Sequence, residues 1–346
     1  MSVTSKNGVP KVSIIMPSYN TAQLIAASLD SVLAQAFQDF EILVVNDGSP
    51  DTVELERVLS PYMERIVYLK QENKRAAGAR NTAIRRARGE FLAFLDSDDI
   101  WFPDHLASQM KLFDKDPSLD LVYSNCYSWN DPERKETFME RCPSHGTARF
   151  ETLVVERCQI PVSTVVVRKS ALERAGLFDE KLLRCDDYDM WLRAAFHGAK
   201  IAYTQNIQAR LNERRPGSLG VSSEKMQEAC WIILEKLDRE LSLSDSQRSC
   251  VRERSAQIRG RFLLEQAKTK LDEGQFGKAK ELFAEANVYL RRSVLSLTEF
   301  SLGLAPTTAR KLINVARKVR RKVRPRSRQD KEIAAAHDKP QEAPQP

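Results

Sequence analysis

Asp96-Ser97-Asp98-Asp99 places three carboxylates within four residues, directly after the apolar run Phe91-Leu92-Ala93-Phe94-Leu95. In extended backbone the two-residue period aims Asp96 and Asp98 to one side, with Ser97 and Asp99 opposed. Two carboxylates on one side make a hard-oxygen site suited to Mg²⁺ or Mn²⁺, which take one or two carboxylates and fill the remaining positions with water and substrate phosphate oxygens. The same residues also read as an acidic turn capping a helix that starts near Pro103, since Asp is common before helices.

Two further acids invite a chemical reading. Asp47 closes the run Phe40-Glu41-Ile42-Leu43-Val44-Val45 and precedes Gly48-Ser49, a place from which a carboxylate can accept a hydrogen bond from a base or ribose; Asp-Gly is also a frequent turn pair. In Asp186-Asp187-Tyr188-Asp189-Met190-Trp191-Leu192-Arg193, the residues Tyr188, Trp191, Leu192, Ala195 and Phe196 recur at helical spacing, and Gly198 supplies a stop. The spacing predicts Asp186 as N-cap and Asp187 in the first turn, where the helix dipole favours the ionised form that a general base needs. By spacing alone, helix capping is the simpler account of both acids. Between these motifs, Glu72 to Asn81 combines small residues with Lys74, Arg75 and Arg80, so a helix start can approach a ligand and a cation can meet phosphate. Basic residues on a helix are also an ordinary solvated face.

The elements that must position these residues alternate short β-branched runs with helical stretches, the pattern of a mostly parallel sheet covered on both faces. Strands are predicted at Val12–Met16, Phe40–Val45, Ile66–Leu69 and Phe91–Leu95, with helices at Ala22–Gln35, Asp51–Leu59, Ala76–Ala87 and Pro103–Asp114. Ligands of such sheets sit beyond the carboxyl ends of the strands, and there stand Pro17-Ser18-Tyr19-Asn20, Asn46-Asp47-Gly48-Ser49 and Asp96-Ser97-Asp98-Asp99. A second part, Leu121 to Leu219, adds strands at Leu121–Tyr123 and Thr164–Val167, a polar stretch from Asn130 to Gly146 and a helix at Asp186–His197.

Taken in order, Val12 to Asn20, Glu41 to Ser49, Gly78 to Asn81, Leu95 to Asp99 and Asp187 to Arg193 resemble the inverting family-2 glycosyltransferases with a GT-A fold. The resemblance covers roughly Pro10 to Leu219. It implies nucleotide contacts from Pro17, Tyr19, Asn20, Asp47 and Arg80, ribose and metal contact from Asp96, metal contact from Asp98, and Asp187 as the base. It further implies Mg²⁺ or Mn²⁺, a nucleoside-diphosphate sugar donor with a UDP-sugar favoured, a glycan or lipid-linked acceptor, and a role in bacterial cell-surface polysaccharide or glycolipid synthesis. The chain departs from the family pattern twice. Asp186 stands where Glu is usual, and Arg215-Pro216-Gly217-Ser218 stands where a His often precedes the serine. Arg215 keeps a cation for the diphosphate but removes a titrating group.

The net charge of +7 is local: Arg310 to Arg328 holds ten Lys or Arg and no acid, which leaves the rest of the chain at −3. With Leu312, Ile313, Val315, Ala316 and Val319 interleaved, residues 309–328 read as a basic amphipathic helix for an anionic membrane surface. A nucleic-acid partner is not expected, since few aromatics lie nearby. Six scattered cysteines form no C-x-x-C pair and read as reduced thiols. The start of the chain lacks the apolar core of a signal peptide, so a cytoplasmic protein, peripheral on the inner membrane face, is expected.

The expected organisation is a flexible N-terminus at 1–10, a GT-A domain at 11–222, a helical region with one tetratricopeptide-like hairpin at 223–308, the basic helix at 309–328 and a disordered tail at 329–346. Two rivals stand beside the transferase reading. A sugar-nucleotide-forming nucleotidyltransferase would carry a Gly-rich basic loop after the first strand, where this chain has Pro17-Ser18-Tyr19-Asn20. A non-catalytic scaffold with a degenerate transferase domain would work through its hairpin and tail.

Overall fold

The computed structural model describes residues 8–128, 136–212 and 223–291, together with positions 295 and 298. Arg215, the segments 309–328 and 329–346, and most of the first ten residues lie outside the described residues.

One eight-stranded sheet organises the chain: β1 (Val12–Ser18), β2 (Phe40–Asp47), β3 (Val67–Gln71), β4 (Phe91–Phe94), β5 (Ile100–Trp101), β6 (Leu121–Ser128), β7 (Val165–Arg168) and β8 (Ile201–Leu211). Their spatial order is β3-β2-β1-β4-β7-β6-β8-β5. β1 lies parallel to both β2 and β4, with Val12 opposite Phe40 and Phe91. β7 enters antiparallel between β4 and β6, and the edge strand β5 runs antiparallel to β8. The carboxyl ends of β1, β2 and β4 therefore open on one side, as parallel neighbours must.

Eleven α-helices are described: α1 (Ile25–Leu33), α2 (Thr52–Leu59), α3 (Arg75–Arg86), α4 (His105–Lys115), α5 (Phe138–Arg141), α6 (Phe150–Val154), α7 (Lys169–Ala175), α8 (Asp186–Phe196), α9 (Ser223–Glu240), α10 (Asp245–Asp272) and α11 (Phe276–Leu290). The two-residue period of the strands splits the core between the faces of the sheet. Val12, Ile14, Met16, Val44 and Phe91 pack with α1, α2 and α4, while Ile15, Leu43, Val45, Leu92 and Phe94 pack with α3, α7, α8 and α9. Each large apolar side chain so buried contributes about 1.5–3 kcal/mol.

Gly89 shows how tightly the strands are joined. Its N–H donates to the Ser13 hydroxyl (2.8 Å), which in turn donates to Glu41 Oε1 (2.6 Å). A Cβ at Gly89 would stand 2.6 Å from the Ser13 backbone nitrogen, so only glycine lets the chain enter β4 beside β1 at this register.

β8, β5 and the three short helices α5, α6 and α7 were not foreseen in the sequence. β8 has no continuous apolar run, because Gln205 and Asn206 interrupt it, and its pairing with β6 shifts register around Asn125. A bulged strand whose partner is 80 residues away leaves little local trace.

Two compact units divide the chain at Arg259 and Gly260, so α9 belongs with the sheet. In the second unit the end of α10 and α11 meet through Leu263, Ala267, Leu271, Ala279, Leu282, Phe283 and Ala286, and Gly274 turns between them at φ +78°. Among the described residues no helix is long and apolar enough to cross a membrane.

Candidate active site

A cavity of about 1050 Å³ opens at the carboxyl ends of β1, β2 and β4. It is at the top of the roughly 300–1,000 Å³ that ligand sites usually span. Pro17, Tyr19, Asp47, Arg80, Asp96, Asp98 and Asp187 all line it. Asn20, between Tyr19 and Thr21, is held at φ +53° with its N–H donating to Ser49 Oγ (2.7 Å).

Each strand end is fixed by polar groups from its neighbour. Ser18 Oγ, Thr21 Oγ1 and Ser97 Oγ form a buried chain of 2.9 and 2.8 Å links from the end of β1 to the turn after β4. Asp47 Oδ1 accepts from Gln71 Nε2 (2.7 Å) and from the Lys74 N–H (2.8 Å). Gly48, at φ +64°, lies so close to Asn73 that a Cβ would meet its backbone nitrogen at 2.7 Å. Two residues other than glycine with left-handed backbone, Arg75 and Cys185, line this cavity, and a third, Asn20, lies between the lining residues Tyr19 and Thr21. Strain of this kind persists only where the surrounding structure enforces it, and it clusters at functional sites.

The acidic motif differs from its expected shape. Asp96 to Asp99 form a turn, closed by the Asp99 N–H donating to the Asp96 carbonyl (3.0 Å), instead of extended backbone. Asp96 and Asp98 still share the cavity, while Asp99 is buried. Asp99 Oδ2 accepts from Ser163 Oγ (2.5 Å) and Oδ1 from the Asn212 N–H (2.8 Å). Burial, with Asp96 and Asp98 close by, pushes the Asp99 carboxyl well above the ordinary carboxylate range. Ser163 also accepts from the Asp96 N–H (3.1 Å). Neither Ser163 nor Asn212 carried a sequence signal, because each reaches the turn only through the order of the sheet.

The start of α8 departs from expectation as well. Its N-cap is Cys185 in left-handed backbone, without a side-chain capping bond, and Asp186 is the first helical residue. Asp186 Oδ2 instead accepts from Arg80 Nη1 (2.8 Å), while Arg80 Nη2 donates to Asp96 Oδ1 (2.7 Å). The side chain of Arg80 is 4% exposed and packs over the Phe178 ring at 5.5 Å. Burial opposes its charge, but Asp96 and Asp186 together hold the guanidinium protonated, above its ordinary value. Both terminal nitrogens of the expected nucleotide contact are thus engaged by the protein's own carboxylates.

Asp187 takes a backbone hydrogen bond from the Tyr188 N–H (2.9 Å). Desolvation, reinforced by Asp186, pushes its carboxyl up to about 6, with Arg80 pulling the other way. That value lies near neutrality, where a carboxylate is ionised yet basic enough to take a proton.

A divalent cation fits the chemistry of this donor set. Asp96 and Asp98 offer hard oxygen to the cavity, and among the described residues no third acid, His or Cys joins them in a cluster. Two carboxylates are the protein share that Mg²⁺ or Mn²⁺ takes when substrate phosphates complete its shell.

Residues 13–175 match the sequence profile of Glycosyl transferase family 2. The chain is 38% identical over 182 residues to UDP-Glc:alpha-D-GlcNAc-diphosphoundecaprenol beta-1,3-glucosyltransferase WfgD of Escherichia coli, covering 52% of this chain and 68% of that protein. The chain belongs to glycosyl transferase family 2. The transferase is also 28% identical over 237 residues to an uncharacterized glycosyltransferase of Rickettsia prowazekii, covering 67% of this chain and 74% of the relative. Its fold resembles that of S. aureus TarS solved in complex with UDP-GlcNAc, at a TM-score of 0.59 and 18% identity, over 89% of this chain and 92% of the other. The mannosyltransferase PcManGT of Pyrobaculum calidifontis, solved with GDP-Man and Mn²⁺, superposes at 0.58 and 20% identity over 89% and 87%. The GT-A fold expected from the five motifs is the fold observed.

Proposed function

We propose that this transferase moves a sugar, with inversion, from a nucleoside-diphosphate donor to an acceptor hydroxyl. The observation that carries the proposal is the meeting of Asp96, Asp98 and Asp187, from strand ends and a helix start 91 residues apart in the chain, on one cavity. UDP is the favoured nucleotide, by analogy with WfgD and TarS.

In this reading Pro17, Tyr19, Asn20 and Asp47 receive the nucleoside, and Asp96 meets the ribose. Asp187 takes the proton of the acceptor hydroxyl, whose oxygen attacks the anomeric carbon while the nucleoside diphosphate leaves from the opposite face. Asp96 and Asp98 would hold Mg²⁺ or Mn²⁺, which supplies positive charge where the leaving diphosphate gains negative charge. Arg80 keeps Asp96 aimed into the cavity and adds its own charge at longer range, and Arg215 serves the diphosphate. A lipid-linked acceptor in bacterial cell-surface glycan synthesis agrees with the acceptor in WfgD's name. The basic segment 309–328 would hold the enzyme against the inner, anionic membrane face.

The test is release of nucleoside diphosphate from a panel of sugar nucleotides with Mn²⁺. Activity that depends on the metal, disappears in Asp98→Ala and drops at least 100-fold in Asp187→Asn supports the reading. Failure of every nucleoside diphosphate to bind in the presence of Mn²⁺ ends it.

A further inference from the structure

Two of the cysteines meet beside the proposed base. Cys185 is the N-cap of α8, two residues before Asp187, and lines the cavity. Cys230 lies on α9, 45 residues further on, with its Sγ 3.9 Å from Cys185 Sγ. Met226, one helical turn before Cys230, brings its Sδ to 3.6 Å from the same Cys185 sulfur. Neither thiol has a part in the transfer reaction proposed above.

The two sides of this contact differ in how firmly they are held. α9 is anchored in the core: Ile233, Leu234 and Leu237 are fully buried, and Lys236 Nζ donates to Asp189 (2.9 Å) and to Asp179 (2.6 Å). Asp189 is itself fully buried, so the body of α8 is fixed to α9. Cys185, by contrast, stands in left-handed backbone at φ +56°, a conformation that a residue other than glycine keeps only while its surroundings enforce it. A pull between the two sulfurs therefore falls on the start of α8.

We infer that Cys185 and Cys230 form a reversible disulfide, and that its closure stops transfer by drawing the first turn of α8 toward α9. A disulfide is about 2.05 Å long, so the sulfurs must close by roughly 1.9 Å. Displacement of that order at Cys185 pulls Asp186 off Arg80 and turns Asp187 away from the acceptor hydroxyl. Misplacing a catalytic group by about 1 Å can cost 100-fold in rate.

The oxidant is a low-molecular-weight disulfide. Cys230, half-buried where Cys185 is buried, attacks it as the thiolate, forming a mixed disulfide and expelling one thiol. Cys185 then attacks the Cys230 sulfur and expels the second thiol. Two protein thiols give up two electrons and two protons, and the external disulfide is reduced to two thiols. The neighbouring Cys230, and then burial, push the Cys185 thiol above its ordinary value, which makes it the slower, resolving partner. The disulfide goes beyond the transferase reading; only its effect on transfer rests on that reading.

Equilibrating the full chain with oxidised glutathione, then digesting it without reductant, tests the inference. Mass spectrometry is expected to find the Cys185 and Cys230 peptides linked. The oxidised chain should transfer sugar at least tenfold more slowly than the reduced chain, and dithiothreitol should restore the rate. Cys230→Ala should keep the reduced rate and lose the response to oxidation, while Cys185→Ala should retain one glutathione on Cys230. Failure of Cys185 and Cys230 to link, pairing of either with another cysteine instead, or an undiminished rate in the linked chain would overturn the inference. A reduced wild-type chain that transfers sugar from no donor would instead end the transferase reading and the effect on transfer with it, while the linked peptide would still decide the disulfide.

Discussion

Arg80 and Asp186, 106 residues apart, meet at 2.8 Å in a buried ion pair, and the second arm of the same guanidinium holds Asp96 at 2.7 Å. One planar fork thus joins the turn after β4 to the first turn of α8, the two elements that carry the proposed metal ligands and the proposed base. A rigid two-armed donor suits this task because its geometry fixes both carboxylates at once.

Removing the fork should cost both fold and activity. Arg80→Ala leaves Asp186 as a buried carboxylate without its partner, for which a loss of about 3–5 kcal/mol is the usual scale. Arg80→Lys keeps the charge but cannot span both acids, so it should fold more stably than the alanine variant and still lose at least tenfold in kcat. Urea midpoints and steady-state kinetics of the two variants check this.

The pH dependence of transfer should carry the signature of Asp187. With its carboxyl near 6, the basic form is present above that pH and is lost as the pH falls. Hence kcat/KM should be flat near pH 8 and decline tenfold per unit well below 6. A group whose folded pKa is raised costs the fold stability when ionised, so Asp187→Asn should be inactive yet more stable at pH 7, by about 1–2 kcal/mol after allowance for its partial exposure. A pH–rate profile together with urea melts tests both halves.

Metal removal should separate binding from chemistry. Chelation by EDTA is expected to abolish turnover, and Mn²⁺ or Mg²⁺ to restore it. Asp98→Ala should stay inactive after metal addition and bind UDP more weakly in Mn²⁺, with little change in melting temperature, because Asp98 faces the cavity. Thermal shift with and without UDP and Mn²⁺ distinguishes the cases.

His105 predicts an acid-sensitive fold. It is fully buried, stacked on Trp101 at a ring distance of 4.3 Å, and burial pushes its pKa down to about 3. The folded chain keeps this imidazole neutral while the unfolded chain gains a proton below about 6.5, so its contribution is intact above 6.5 and lost as the pH falls toward 3. The loss approaches ~1.4 kcal/mol per pH unit across that window. The gap in urea midpoint between wild type and His105→Phe should therefore change between pH 7 and pH 5, with the wild type falling further.

Much of this was legible in order along the chain. The continuous apolar runs of β1, β2 and β4 announce parallel strands buried on both faces, and the polar residues that follow them mark the crevice, because the apolar run and its end are local features of the sequence. The stripe Tyr188, Trp191 and Leu192 likewise marks α8, although its cap falls on Cys185 in place of Asp186.

Only the tertiary structure decided what those residues face. Arg80 reads in sequence as a cation for phosphate, and the fold surrounds it with Asp96 and Asp186. Asp99 reads in sequence as an acid opposed to Asp96 and Asp98, and the packed fold buries it against Ser163 and Asn212. The value of about 6 at Asp187 arises from contacts across scores of residues. Periodicity specifies which side of an element is apolar; which partner covers it, and how strongly the charges nearby are felt, depends on distances that exist only once the chain has packed.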